Sequence, residues 1–190
     1  MNTKKFKIIA AILMTLSLSS GSTVTGQTFH PLDENPHDIA YFRPNGDTEP
    51  QIKVVYGRIE AEDGVVFGTQ VPFGQVWSTG SNESTEVRFY CDVMFGNKYV
   101  KAGKYALYTI PEKNYWTVIL NRKTDTYGAH FYDSEYDIAR IEVPVLKGKE
   151  VKNLSIAFDR KQYGSQMILA LAKTRVKIPL YTEESLLSKA

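Results

Sequence analysis

The sequence predicts an all-β protein, a single antiparallel β-sandwich or jelly-roll-like domain of about 8–10 strands with a short C-terminal helix. Three observations carry that expectation. Apolar and polar residues alternate with period two in several runs, as in Ile52, Val54 and Tyr56. The runs are punctuated by turn chemistry such as Gly96-Asn97 and Pro111-Glu112-Lys113-Asn114. Nothing between them resembles the helical crossovers of ten or more residues that parallel strands require.

In chain order, Lys4, Lys5 and Lys7 precede the apolar run Ile8 to Leu18 and a small polar stretch. That order is the layout of a secretory signal peptide, and the apolar run is shorter than the ~20 residues that cross a bilayer. Residues 1–26 are therefore expected to be removed, with Gln27 as the mature N-terminus and no membrane attachment thereafter. Residues 27–50 hold four prolines and many turn formers and read as an irregular leader, pinned by Ile39, Tyr41 and Phe42. The β domain is expected over 51–181. Its strand runs are Ile52 to Gly57, Val65 to Phe67, Thr85 to Phe95, Tyr105 to Ile110, Tyr115 to Asn121, Ile138 to Leu146, Val151 to Asp159, Gln166 to Lys173 and Arg175 to Leu180. Lys147-Gly148-Lys149 reads as a turn and Arg160 to Ser165 as a hairpin loop. Pro144 marks its run as an edge strand or a bulge, because proline cannot donate to a ladder. Residues 182–190 read as a short helix or tail, with Thr182 as its cap.

Charge and cysteine content narrow the function classes. Loss of residues 1–26 takes three of the 23 Lys and Arg residues and leaves 20 against 21 Asp and Glu. No run of basic residues interleaved with aromatics remains, so nucleic acid is not an expected partner. The one cysteine, Cys91, forms no internal disulfide and reads as a buried small hydrophobe on a single strand face with Val87, Phe89, Val93 and Phe95.

The densest polar and aromatic stretch is WSTGSNESTE, residues 77–86. Two readings compete for it. In one it is a turn whose Ser, Thr and Asn bond their own backbone while Trp77 fills the core. In the other it binds a small polar ligand or glycan: Trp77 and Tyr127 stack on it, Asn82, Glu83 and Arg58 hydrogen-bond it, and Thr79 and His130 complete the set. Arg58, just after a strand end, also suits an ion pair with a carboxylate such as Glu83. His30 and His37 lie in the proline-broken leader, which offers no regular spacing for metal ligands, and no cofactor is implied. A polysaccharide-directed hydrolase would use Glu83 and Asp133 as its acid and base. A third possibility is a module that docks on an envelope protein.

The ordered motifs VVYGR (54–58), VFG (66–68), VPFGQVWSTGSNESTE (71–86), VKAGKYALYTIP (100–111), YWTVILN (115–121), YGAHFYD (127–133) and TRVKIP (174–179) resemble the exported bacterial family designated domain of unknown function 2911. The resemblance runs from about His37 to Leu180. It implies an exported all-β protein and carries over no catalytic residues. The chain departs from the family pattern where Glu62, Asp63 and Gly64 replace a basic segment, and where Ser78 replaces an arginine after the loop tryptophan.

Overall fold

The computed structural model describes residues 34–46, 49–62 and 66–182. The expected signal peptide, the expected mature N-terminus at Gln27 and the tail after Thr182 lie outside the described residues, which belong to the unit that begins at Glu34. Among the described residues there are ten strands, one 3-10 turn and no α-helix.

The fold is all-β, built from two antiparallel sheets. The strands are β1 (His37–Phe42), β2 (Ile52–Gly57), β3 (Thr85–Phe89), β4 (Val93–Phe95), β5 (Lys98–Val100), β6 (Gly103–Pro111), β7 (Tyr115–Asn121), β8 (Asp137–Pro144), β9 (Leu146–Arg160) and β10 (Ser165–Thr182). Six form one sheet in the order β1-β2-β3-β6-β7-β8, and four form the other in the order β5-β4-β10-β9. Alternate residues of both sheets meet in one core that includes Ile52, Val54, Val87, Phe89, Leu107 and Val118 from the first sheet and Phe95, Met167, Leu169 and Ile178 from the second. This is the arrangement of a sandwich. The central strands β6 and β7 are buried on both faces, because Ala106, Tyr108 and Ile119 on the outer face are covered by Val76, Ala129 and Tyr132.

Several expectations need correction. Residues 37–42 are not irregular: they form β1, paired in register with β2 from His37 opposite Gly57 to Phe42 opposite Ile52. The leader's prolines bracket this strand instead of interrupting it, and Phe42 packs into the core against Phe158. The run from Thr85 to Phe95 is two strands, not one, since the chain leaves the six-stranded sheet after Phe89 and enters the four-stranded sheet at Val93. Cys91 sits at that crossing and is only half-buried. Gly148 lies within β9 and not in a turn, and β10 runs unbroken through Lys173 and Arg175. Thr182, expected to cap a helix, is the last residue of β10.

One further irregularity places the polar loop. Trp77 and Thr109 exchange backbone hydrogen bonds of 2.8 and 2.9 Å, and Thr85 pairs with Leu107 on the same strand, β6. The residues around Trp77 and those of β3 therefore lie in line along β6, and residues 80–84 between them are pushed out of the sheet. The gap is closed by Thr85 N–H to Ser78 O at 3.0 Å and by the Thr85 hydroxyl to Thr79 O at 2.9 Å. Thr79 and Asn82 take the left-handed turn conformation, each with φ of 61°.

The expelled loop rests on the end of β2, where Ser81 N–H donates to Gly57 O at 3.2 Å and Ser81 Oγ donates to Arg58 O at 2.6 Å. The approach is backbone to backbone. A Cβ on Gly57 would lie 1.9 Å from Ser81 O, and one on Gly80 would lie 2.8 Å from Gly57 O. Overpacking of this kind typically costs about 1–3 kcal/mol and sometimes more. Gly57→Ala is therefore expected to lower unfolding free energy in urea by about 3 kcal/mol, at the top of that range because the clash is with backbone. A loss below about 0.5 kcal/mol, the level of an ordinary surface substitution, would show that the contact is not tight.

Candidate functional site

The polar loop has two sides, and the structure divides the sequence-predicted residues between them. On the outer side, Glu83 bridges to Tyr127, Gly128 N–H donates to Asn82 O at 2.6 Å, and Tyr127 Oη lies 3.4 Å from Asn82 Oδ1. His37 of β1 joins them through Nε2, 3.1 Å from Glu83 Oε2. Asn82, Glu83 and Tyr127 are thus brought together, on open surface: Tyr127 is 62% exposed.

Arg58 is not part of this group. Its guanidinium makes a two-pronged contact with Asp38 of β1, Nε to Oδ2 at 2.8 Å and Nη2 to Oδ1 at 2.6 Å. The carboxylate it was expected to meet, Glu83, is held by His37. Arg58 is therefore a clamp between β1 and the end of β2, reinforced by Arg58 N–H to Pro36 O at 2.9 Å. His130 is exposed and meets the ring of Phe131 edge-on at 5.0 Å. Asp133 caps the 3-10 turn Ser134–Tyr136, its Oδ1 accepting from Glu135 N–H at 3.0 Å.

Trp77 and Thr79 belong to the inner side. Thr79 is fully buried, its hydroxyl 3.2 Å from that of Thr109. The Trp77 indole N–H donates to Gly80 O at 3.0 Å, which turns the ring away from Asn82 and Glu83. It packs edge-to-face with Phe67 and Trp116, both at 6.1 Å between centroids, while Phe67 and Trp116 meet at 4.7 Å. Such pairs add about 0.5–1.5 kcal/mol each beyond their buried area.

This cluster backs a cleft of about 440 Å³ lined by Phe67, Phe73 and Trp116, with Val66 and Val145 behind them and Glu112, Lys113, Lys147 and Lys173 at its margin. Two backbone features shape it. Residues 66–71 form a tight loop, with Val71 N–H to Val66 O at 2.9 Å and Gly68 N–H to Val71 O at 2.8 Å. Gly68 has φ of 94°, and a Cβ there would lie 2.7 Å from Phe73 Cε2, so the glycine is what lets that ring lie down. On the opposite wall, the β9–β10 register shifts on both sides of Ala172, which has φ of 49°. Arg175 Nη1 holds the distortion by donating to Ala172 O at 3.1 Å and Thr174 O at 2.8 Å, while its Nη2 donates to Lys149 O. Bulges of this kind re-aim strand residues next to binding sites.

Phe67, Phe73 and Trp116 were not among the expected site residues. The alternation around Trp116 marks it as core, and the available signal was the glycine that follows a phenylalanine in both VFG and VPFG.

Residues 43–180 match the family described as "Protein of unknown function (DUF2911)". The chain belongs to the DUF2911 family. No curated protein and no solved structure matches the chain. The matched span holds all of the residues that line the aromatic cleft, as well as Gly57 and Gly80. His37 and Asp38 lie before it. In this DUF2911 member the outer polar group and the Arg58 clamp therefore each join residues before the matched span to residues within it.

The clamp has a pH signature. Hydrogen bonds from Arg58 hold the Asp38 carboxyl below the usual carboxylate range, against a smaller opposing push from burial. Asp38 is thus more acidic folded than unfolded, so its contribution is present above the unfolded value of about 3.9 and is lost as pH falls through the folded one. Asp38→Asn is expected to be less stable than wild type at pH 7 and to approach it as pH falls below the ordinary carboxylate range. Equal stability of the two proteins at pH 7 would show that the Arg58–Asp38 pair does not hold β1 in place.

Proposed function

We propose that this DUF2911 member is an exported, non-catalytic binding domain that takes a small polar ligand or glycan in its aromatic cleft. The observation that carries the reading is the cleft itself. Its volume of about 440 Å³ lies within the ~300–1,000 Å³ range of ligand pockets, and it pairs aromatic surface with a few charged groups at the rim. Flat apolar faces of a sugar or similar ring suit Phe67 and Phe73, while hydroxyl or carboxylate groups suit Lys113, Glu112 and Lys147. Export is supported by the basic and apolar order of residues 4–18.

Trp77 keeps a role in this reading, but as the buttress behind Phe67 and Trp116 and not as an exposed platform. The carboxylates of a hydrolase are engaged elsewhere, Glu83 with His37 and Asp133 in its cap. Among the described residues Glu112 is the single carboxylate lining the cleft, whereas the usual glycoside hydrolysis needs two.

The test is a thermal-shift and titration screen of the full chain against mono- and oligosaccharides, amino acids and short peptides. A ligand at a hundred times its dissociation constant adds about 2.7 kcal/mol, and each kcal/mol raises the midpoint by about 2–4 °C in a domain of this size. Phe73→Ala is expected to fold and to weaken a hit about tenfold or more, while Asn82→Ala leaves it unchanged. Binding that survives Phe73→Ala and fails in Asn82→Ala would move the site to the outer polar group. Silence across the panel would count against a binding domain.

A further inference from the structure

The outer face of the six-stranded sheet carries a feature that linear sequence hides. Tyr41 of β1 stands opposite Lys53 of β2, Lys53 opposite Arg88 of β3, and Arg88 opposite Lys104 of β6. The neighbours of these residues, Ile52, Val54, Val87, Phe89 and Tyr105, are buried in the core, so by strand alternation the four point outward. The result is one row across four strands, an aromatic ring followed by three cations, at an interstrand step of about 4.8 Å.

Like charges directly opposite one another destabilise a sheet. Lys104 is offset by Glu86 at 2.7 Å and Asp125 at 2.9 Å. Lys53 and Arg88 form no ion pair with a carboxylate among the described residues. What accompanies them is aromatic: the Arg88 guanidinium lies over the Tyr90 ring at 5.0 Å, and that of Arg43 lies over Tyr41 at 5.2 Å. Tyr41 and Tyr90 are 44% and 46% exposed. Between Lys53 and Arg88 a local rule of sheet design is broken with no carboxylate to offset it, and breaches of that kind concentrate at functional sites.

We propose that this row binds a single strand of acidic polysaccharide, a chain of uronate sugars laid across β1, β2 and β3 along Tyr41, Lys53 and Arg88. Three features of the face select that partner. The cations recur at one per strand, which matches a polymer bearing one charge per repeating unit. Tyr41 at the end of the row offers a ring face for a sugar. Glu86 and Asp125, which occupy Lys104, repel a flat anionic bilayer that would meet every group at once, whereas a single chain follows Tyr41, Lys53 and Arg88 and stops short of them. The row shares no residue with the aromatic cleft, so it stands or falls separately from the cleft reading.

The test uses the full chain, polygalacturonate as the probe and neutral dextran as the control, at low and at physiological salt. Wild type is expected to bind polygalacturonate, to ignore dextran and to weaken as salt rises. The Lys53→Gln/Arg88→Gln double variant is expected to bind about tenfold or more weakly with an unchanged or raised unfolding midpoint, because a repulsion has been removed. The charge-keeping Lys53→Arg variant is expected to bind as wild type does. Binding unaffected by the double variant would overturn the proposal, as would no binding by wild type. Equal or tighter binding to phosphatidylglycerol vesicles, polyglutamate or single-stranded DNA would overturn the choice of a uronate chain.

Discussion

The side-chain-free contact between Gly57 and Gly80 is the constraint on which the arrangement of the polar loop and the aromatic cluster depends. With no Cβ on either residue, the end of β2 and the expelled loop approach until Ser81 can hydrogen-bond the backbone at Gly57 and Arg58. That approach fixes where residues 80–84 leave the sheet. It also fixes where the strand is interrupted, and hence which way Trp77 faces. Because Gly80 O accepts the Trp77 indole N–H, the ring turns inward to Phe67 and Trp116 and not outward to Asn82. One backbone contact thereby separates an exposed polar group from an enclosed aromatic one.

The rest of the fold supplies rigid walls for that arrangement. β6 and β7 are buried on both faces, and β6 carries the backbone partners of both Trp77 and Thr85. Trp116 comes from β7, so the cleft's floor is part of the most deeply packed strand pair. Its far wall is the distorted stretch of β10 held by Arg175, where a non-glycine residue at positive φ implies strain held in place by its surroundings. A cleft built between stiff strands and two clamped irregularities would pay little ordering cost in taking the proposed ligand.

The regular parts of the fold were legible in the sequence. Tyr115 to Asn121 and Ile52 to Gly57 are apolar runs whose expected limits are the observed ones. Pro144, expected inside a run to Leu146, marks an edge strand as expected but is the last residue of it, and Leu146 already belongs to β9. What escaped has physical reasons. Prolines on both sides of His37–Phe42 outweighed a strand signal that depends on pairing with β2. The alternation through Cys91 is the same whether a chain stays in its sheet or crosses to another, so periodicity alone could not locate the crossing. The orientation of Trp77 was illegible because its partners, Phe67 and Trp116, are non-local and its hydrogen bond is to backbone. For the same reason a count of consecutive basic residues misses Lys53, Arg88 and Lys104, which are neighbours only in the sheet.

The most direct test of the central constraint uses the two tryptophans, Trp77 and Trp116, the only two in the chain. Their indole N–H signals in a nitrogen–proton spectrum can be followed during exchange into deuterated water, in wild type and in Gly80→Ala. If the glycine contact holds the loop, the Trp77 indole proton exchanges slowly in wild type and clearly faster in Gly80→Ala, while Trp116, buried in β7, changes little. A Trp77 signal that exchanges at the rate of an exposed indole in wild type, or that is indifferent to Gly80→Ala, would contradict it.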